Sequence, residues 1–167
     1  MDYTFFAPRK VFAKQLSKQV DSAIYSTNAR LKEVGKQPLE NLFTAARKPP
    51  ISIKNYLARF MKFIDNAPQN IYIIMLIYLQ NCLEAQPKIY LTEYTVHRLL
   101  ATCLLLAYKF SLDSPFSDTV FAKVAGLEIE EMKKLEVYLL KLLDYKLFVT
   151  EEAFEQTQKV VCTFNPW

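Results

Sequence analysis

The sequence predicts an all-α fold, and its longest apolar run is the first reason. Between Leu99 and Tyr108 the only polar residue is Thr102, so a helix over this run is apolar on every side. Such a helix must be surrounded by other helices or by lipid. A membrane span needs about 20 apolar residues, and this run is half that length between Arg98 and Lys109. We therefore expect it to be the central helix of a compact helical domain.

Composition supports the same fold class. The 167 residues include only two glycines, too few for phosphate-binding loops or the turns of a doubly wound sheet. The chain is 51% hydrophobic and 23% charged, which is typical of a globular domain and argues against disorder. Its length has room for one domain with a short extension.

The first 48 residues are expected to be a basic helical extension of the main domain. They carry nine Lys and Arg against four Asp and Glu, whereas the remaining 119 residues carry twelve against thirteen. Lys10, Lys14 and Lys18 recur on one helix face, which is either a solvated side or a docking face for an acidic partner or a membrane surface. Another face of the same helix is apolar, with Phe12, Leu16, Val20, Ile24, Leu31 and Val34.

Several stop signals follow this helix. Gly35 and Pro38 end it, residues 39–48 add a short helix, and Pro49 with Pro50 marks the clearest boundary in the chain. We place the main domain at residues 49–150 and a terminal helix and tail at residues 151–167.

Four helix starts can be read in the main domain and after it. Ser52 caps a helix with its buried stripe at Ile53, Leu57, Phe60 and Ile64. Pro68 begins another, although the apolar run from residue 71 to residue 79 is also rich enough in β-branched residues for a strand. Thr92 is expected to cap the central helix, and Thr150 to cap the last one.

Two further helices lie between the central and terminal ones. Residues 116–125 form a short helix that Gly126 ends. The following helix begins with acidic residues and ends with basic ones, as the helix dipole favours. Its core stripe is Ile129, Met132, Leu135, Leu139, Leu142 and Leu143.

The sequence carries no recognisable catalytic or metal-binding pattern. His97 is the only histidine, and we expect it to have a packing or hydrogen-bonding role. No phosphate-loop, dinucleotide, zinc-protease or nucleophile-elbow motif is present, so we predict a non-enzyme without cofactor, metal or small-molecule substrate. Cys82, Cys103 and Cys162 are widely spaced and predict free thiols in a reducing compartment. The first residues lack a signal-peptide pattern, so nuclear or cytoplasmic residence is expected.

Five segments in order resemble the cyclin box, and most closely the phosphate-pathway branch of P-type and U-type cyclins. They are ISIKNYLARF, TVHRLL, LAYKF, FAKVAGLEIEEMKKLE and LLDYKLFVTEEAF. The resemblance implies one box of five helices with the third in the centre, flanked by N- and C-terminal helices. It also implies a regulatory subunit that binds and allosterically activates a cyclin-dependent protein kinase.

The resemblance further implies which residues contact the kinase. The family's lysine at the end of helix three and glutamate in helix five match Lys109 and Glu136. Apolar contacts around them match Leu106, Phe110, Leu140, Tyr145 and Leu147. In the alternative interpretation Lys109 merely complements its helix dipole, and Glu136 merely pairs with Lys133 one turn back.

Two other functions stay open, one because of departures from the family and the other because the same helical box also occurs in transcription-factor cores. Gln80 and Asn81 replace the family's Asp-Arg, so that an ion pair with an arginine such as Arg59 is reduced to a hydrogen bond. The substrate-docking motif of cell-cycle cyclins has no counterpart around residues 51–53. One alternative is a cyclin-box adaptor without kinase activation. The other is a transcription-factor-like helical scaffold that binds nucleic acid, which the near-neutral charge of residues 49–167 disfavours.

Overall fold

The computed structural model describes residues 7–113 and 115–163, and this part of the chain is all helical, as predicted. It contains seven α-helices, namely α1 (Arg9–Glu33), α2 (Ile53–Phe63), α3 (Gln69–Ala85), α4 (Val96–Ser111), α5 (Asp118–Ala125), α6 (Ile129–Leu142) and α7 (Glu151–Cys162). Helices α2 to α6 are the five helices expected of the box, and α1 and α7 flank them. The run after Pro68 is a helix and not a strand.

Helix α4 occupies the centre, which confirms the prediction from its apolar run. Every residue from 99 to 108 is buried, including the polar Thr102, whose hydroxyl donates to the Arg98 carbonyl at 2.7 Å. Helix α3 packs along α4, and α5 and α6 cover its other sides. The backbone bond of Thr102 explains how one hydroxyl is accommodated in an otherwise apolar core.

Helix α4 begins at Val96 and not at Thr92, so the predicted cap is wrong. The Thr92 amide donates to Thr95 Oγ1 at 3.0 Å, and the Tyr94 amide donates to Thr92 Oγ1 at 3.3 Å. These bonds close a turn before the helix. The hydroxyl of Thr95 in turn donates to the Tyr90 carbonyl at 2.7 Å. Because both hydroxyls are used within this turn, the helix starts only after it.

Residues 39–48 do not form the short helix that was expected. Asn41 Oδ1 accepts a hydrogen bond from the Phe43 amide at 2.9 Å, and the Asn41 amide donates to Thr44 Oγ1 at 3.0 Å. These local bonds satisfy the backbone in a turn and compete with helix formation. The turn drives Phe43 into the core, where its ring lies 5.5 Å from that of Tyr138 on α6.

Two predicted helix caps and one predicted helix stop are confirmed. The side-chain oxygens of Ser52 and Thr150 accept backbone amides at the starts of α2 and α7, and Ser117, which was not predicted as a cap, does the same at the start of α5. Gly126 ends α5 with a φ of 73°, in the left-handed region that a residue without a Cβ adopts easily.

Helix α1 shares its apolar side with the box. It packs against α2 and α7, and its buried residues belong to the same core as those of α4. At its start, the guanidinium of Arg9 donates to the carbonyls of Met61 and Asp65 at 2.7 and 3.0 Å, where α2 ends. Lys10 and Lys14 lie on the exposed side.

The three cysteines are free thiols, as expected. Burial raises the pKa of Cys82 to about 11 and raises that of Cys103 well above its ordinary value. Only the thiolate is reactive, and a raised pKa keeps both thiols protonated at neutral pH. Both cysteines therefore behave as small apolar side chains. Among the described helices, none combines the length and the apolar character that crossing a membrane requires.

Two buried tyrosines on α3 allow a matched test of stability. The hydroxyl of Tyr72 has no partner among the described residues, whereas that of Tyr78 donates to the Leu147 carbonyl at 2.6 Å. We expect Tyr78→Phe to lower the free energy of unfolding by about 1 kcal/mol and Tyr72→Phe to raise it by a similar amount. Urea denaturation of both variants measures the difference, and equal losses would contradict the assignment of these hydroxyls.

Candidate functional site

Three charged side chains meet where α4, α5 and α6 come together. Lys109 lies in the last turn of α4, Asp118 is the first residue of α5, and Glu136 lies in the middle of α6. The Lys109 Nζ atom is 2.8 Å from Glu136 Oε1 and 3.3 Å from the carboxylate of Asp118. We call these three residues the charged centre. Their side chains are 35%, 31% and 13% exposed for Lys109, Asp118 and Glu136, so solvent and a partner can reach them.

The carboxylates stabilise the charged form of Lys109. Burial alone lowers the pKa of Lys109, but the hydrogen bonds and charges of Glu136 and Asp118 outweigh it and raise this pKa above its ordinary value. The ammonium is therefore permanently protonated at neutral pH. Glu136 does not pair with Lys133, which instead lies 3.4 Å from Glu130. The partner of Glu136 is on another helix and not one turn back.

The five apolar residues named with this pair differ in exposure. Phe110 and Tyr145 project into solvent, and Tyr145 is 64% exposed. Leu140 and Leu147 are half-buried at the edge of the core. Leu106 is only 3% exposed, so it lies under the surface and supports it from below. Its expected direct contact with a partner is not compatible with this burial unless neighbouring side chains move.

The end of α6 directs Tyr145 outward through an unusual backbone turn. Asp144 and Tyr145 have φ values of 51° and 56°, in the left-handed region that costs a residue with a Cβ about 1 kcal/mol or more. The Tyr145 amide donates to the Leu140 carbonyl at 2.9 Å, which closes the helix end. The bond from Tyr78 to Leu147 then attaches the following segment to α3.

The hydroxyl of Tyr108 positions the start of α5. It donates to Asn66 Oδ1 at 3.0 Å and accepts the Phe116 amide at 2.6 Å. Tyr108 itself is fully buried on α4. The connection between α4 and α5 is thereby folded back, which brings Asp118 to Lys109.

Sequence reasoning missed Asp118 and the exposed Phe116 as members of this surface. An acidic residue directly after the cap Ser117 marks a helix start, and that signal was visible. Its contact with Lys109 was not visible, because it depends on how the α4–α5 connection folds back.

His97 and Gln80 each form contacts that support structure. His97 Nε2 lies 2.9 Å from the Ile51 carbonyl oxygen, and its ring is 4.9 Å from that of Tyr56. Gln80 donates to Glu84 on its own helix at 2.9 Å. The expected hydrogen bond from Gln80 to Arg59 is not formed, and the Arg59 guanidinium lies over the Tyr56 ring at 5.1 Å.

His97 should make stability depend on pH. Burial lowers its pKa from the ordinary value of 6.5, so the unfolded chain binds a proton more readily than the folded one. We expect the free energy of unfolding to fall as the pH falls below about 6.5. His97→Gln removes this titration, and its denaturation curves between pH 7.5 and 5 should have the shallower dependence. An unchanged slope would contradict the shift.

Within residues 7–113 and 115–163, no group of three or more His, Cys, Asp and Glu side chains could hold a metal ion. A groove of about 380 Å³ lies beside the start of α2, lined by apolar residues of three segments and by charged residues at its rim. Its apolar lining includes Ile24, Ile51, Ile53 and Val96. Helix α1 forms one side of this groove, in the region where the docking motif of cell-cycle cyclins has no counterpart.

The chain matches known proteins over most of its length. The cyclin family profile matches residues 9–147, from the start of α1 to the segment after α6. The chain belongs to the cyclin family. Within it, this cyclin is similar to the P-type and U-type branch, as the sequence motifs indicated.

Three plant relatives define the degree of similarity. This cyclin is 39% identical over 113 residues to Cyclin-P3-1 of Oryza sativa subsp. japonica, which covers 68% of the chain and 47% of the relative. It is 38% identical over 112 residues to Cyclin-P4-1 of the same plant, covering 67% and 52%. With Cyclin-U4-3 of Arabidopsis thaliana it shares 37% identity over 112 residues, covering 67% and 51%. The chain thus spans about half the length of the curated relatives it matches.

Proposed function

We propose that this cyclin is a regulatory subunit that binds a cyclin-dependent protein kinase and activates it allosterically. The observation that carries the proposal is the partly exposed ion pair of Lys109 and Glu136, held at 2.8 Å between two helices of the box. Both residues occupy positions that the family uses for its kinase. Membership in a family of regulatory proteins also supports a non-catalytic role.

The surface around the ion pair has the composition of a specific interface. Phe110, Phe116 and Tyr145 are exposed aromatic side chains at the ends of α4 and α6 and before α5. A few residues account for most of the binding energy in protein interfaces, and aromatic side chains are enriched in such surfaces. A charged pair that is already formed needs little rearrangement when the interface dries.

Activation would follow from preferential binding to one state of the kinase. In an isolated kinase of this class the C-helix is displaced, and the ion pair between its glutamate and the phosphate-binding lysine is not assembled. A cyclin surface that binds the assembled arrangement more tightly shifts the population toward it in proportion to that difference in affinity. The cyclin would need to supply only a rigid surface, and the packing of α4 and α6 on one core provides it.

Co-purification followed by a kinase assay tests the proposal. The full chain is isolated with an affinity tag from cells that express it, and associated kinases are identified by mass spectrometry. The purified kinase is then assayed alone and with added cyclin. Stoichiometric recovery and activity that depends on the cyclin support the proposal.

Each other outcome of this test has a clear meaning. Recovery of a kinase without activation indicates the adaptor alternative. Recovery of nucleic acid with salt-sensitive affinity indicates the scaffold alternative. Nuclear or cytoplasmic residence is part of the proposal, and the three free cysteines support it.

A further inference from the structure

We propose that Asp118 is a specificity-determining residue of this surface, and that the kinase segment which docks there carries a positive charge. The inference rests on the proposed function, because it describes the partner of the same site. It starts from the charge balance of the charged centre. Two carboxylates share one ammonium there, so the three side chains together carry one net negative charge.

Within residues 7–113 and 115–163, no second cation forms an ion pair with either carboxylate. Asp118 and Glu136 each form an ion pair with Lys109 alone, and the neighbouring Lys133 is paired with Glu130. The centre therefore presents a net negative charge beside the exposed aromatic side chains of Phe110 and Phe116.

The surroundings make the excess charge important in a complex. When aromatic side chains close over a charged group, water is excluded, and a carboxylate that shares its only cation with a second carboxylate loses its hydration. Such a group is tolerated in an interface only where the partner supplies a cation or several N–H donors. A kinase with an acidic segment at this point, or with a neutral one that lacks such donors, is disfavoured, and a positively charged segment satisfies the site best, so Asp118 discriminates between kinases.

Asp118 also positions Lys109. Glu136 approaches the ammonium from α6 and Asp118 approaches it from α5, so the lysine is held from two sides. The bond of Tyr108 to the Phe116 amide fixes the segment that carries Asp118. Without Asp118, Lys109 retains only one carboxylate, and its long side chain regains freedom that binding must then remove.

The test compares Asp118→Asn with Glu130→Gln in the full chain. Glu130 is a matched control, since it is also an acid in the first turn of a helix and pairs with one lysine, outside the charged centre. The kinase that co-purifies with the wild-type cyclin is the probe, and surface plasmon resonance measures its binding at several salt concentrations. Circular dichroism checks that both variants are folded.

Asp118→Asn is expected to weaken binding about tenfold, to slow association and to reduce the dependence on salt. Glu130→Gln should change affinity less than about twofold. Unchanged or tighter binding of Asp118→Asn, with Glu136→Lys still abolishing it, overturns the inference and leaves the proposed function intact. If the wild-type cyclin recovers no kinase, the proposed function fails, and with it the charge assigned to the partner.

A second measurement tests the positioning role without any partner. NMR titration of the Lys109 ammonium in labelled protein should show its pKa lowered by Asp118→Asn and unchanged by Glu130→Gln. An unaffected Lys109 pKa in Asp118→Asn overturns the positioning role, whatever the kinase experiment shows.

Discussion

Glu136→Lys and Lys109→Glu are each expected to weaken kinase binding by roughly 2–5 kcal/mol, which corresponds to a loss of about 30-fold to several thousand-fold in affinity. Either change places two like charges at a distance of about 3 Å and leaves a desolvated charge in the interface. Pull-down and titration with the co-purifying kinase measure the loss. Helicity should change little, because both side chains lie at the edge of the core and not within it.

The double variant Lys109→Glu/Glu136→Lys separates partner contact from internal stability. It restores an ion pair between α4 and α6 with reversed polarity, so the melting temperature should partly recover relative to the single variants, because Asp118 then lies beside a like charge at position 109. Kinase binding should not recover, because each charge now faces the wrong group of the partner. Full recovery of binding would show that the pair only holds the two helices together.

Lys133→Glu provides the matched control for these reversals. Lys133 is an exposed lysine on α6 whose pairing with Glu130 lies on the same helix. Exposed pairs of this kind contribute about 0–1 kcal/mol. We expect Lys133→Glu to bind the kinase almost normally, and a loss as large as that of Glu136→Lys would indicate a nonspecific effect of charge.

A helix or cap could be predicted from the sequence where the residues that determine it lie close together in the chain. Ser52 and Thr150 cap helices through residues three positions away, and the burial of α4 follows from its composition alone. The turn around Asn41 was missed because Asn41 and Thr44 offer the backbone an alternative to helical bonds. Thr92 failed as a cap for a similar reason.

In the candidate site, too, some residues could be identified from neighbouring sequence and others only from long-range contacts. The positions of Lys109 and Glu136 were found from motifs within their own helices. Asp118 was missed because its contact depends on the Tyr108 bond that folds the α4–α5 connection. Leu106 was expected to contact the kinase, and the packing of other helices around α4 leaves it only 3% exposed. The contact of Asp118 and the burial of Leu106 both depend on residues far apart in the chain. The hydrophobic periodicity of a single helix carries no information about such contacts.

Removal of α1 is expected to unfold the box. A chain that begins at Lys36 lacks the apolar face of α1, and this face supplies four large apolar residues to the common core. They are Phe12, Leu16, Val20 and Ile24. Burial of each contributes about 1.5–3 kcal/mol, so their loss is comparable to the net stability of about 5–15 kcal/mol that a domain of this size has. Circular dichroism and thermal denaturation of the shortened chain measure the effect.

Point variants of α1 identify the face responsible. Leu16→Ala should lower the free energy of unfolding by about 2–5 kcal/mol, because Leu16 is fully buried. Lys14→Ala, on the exposed face, should change it by less than about 0.5 kcal/mol. A shortened chain that melts cooperatively at the wild-type temperature would instead show that residues 36–167 fold without α1. In that case α1 would serve mainly to present its basic face, and an acidic binding partner of that face should be sought.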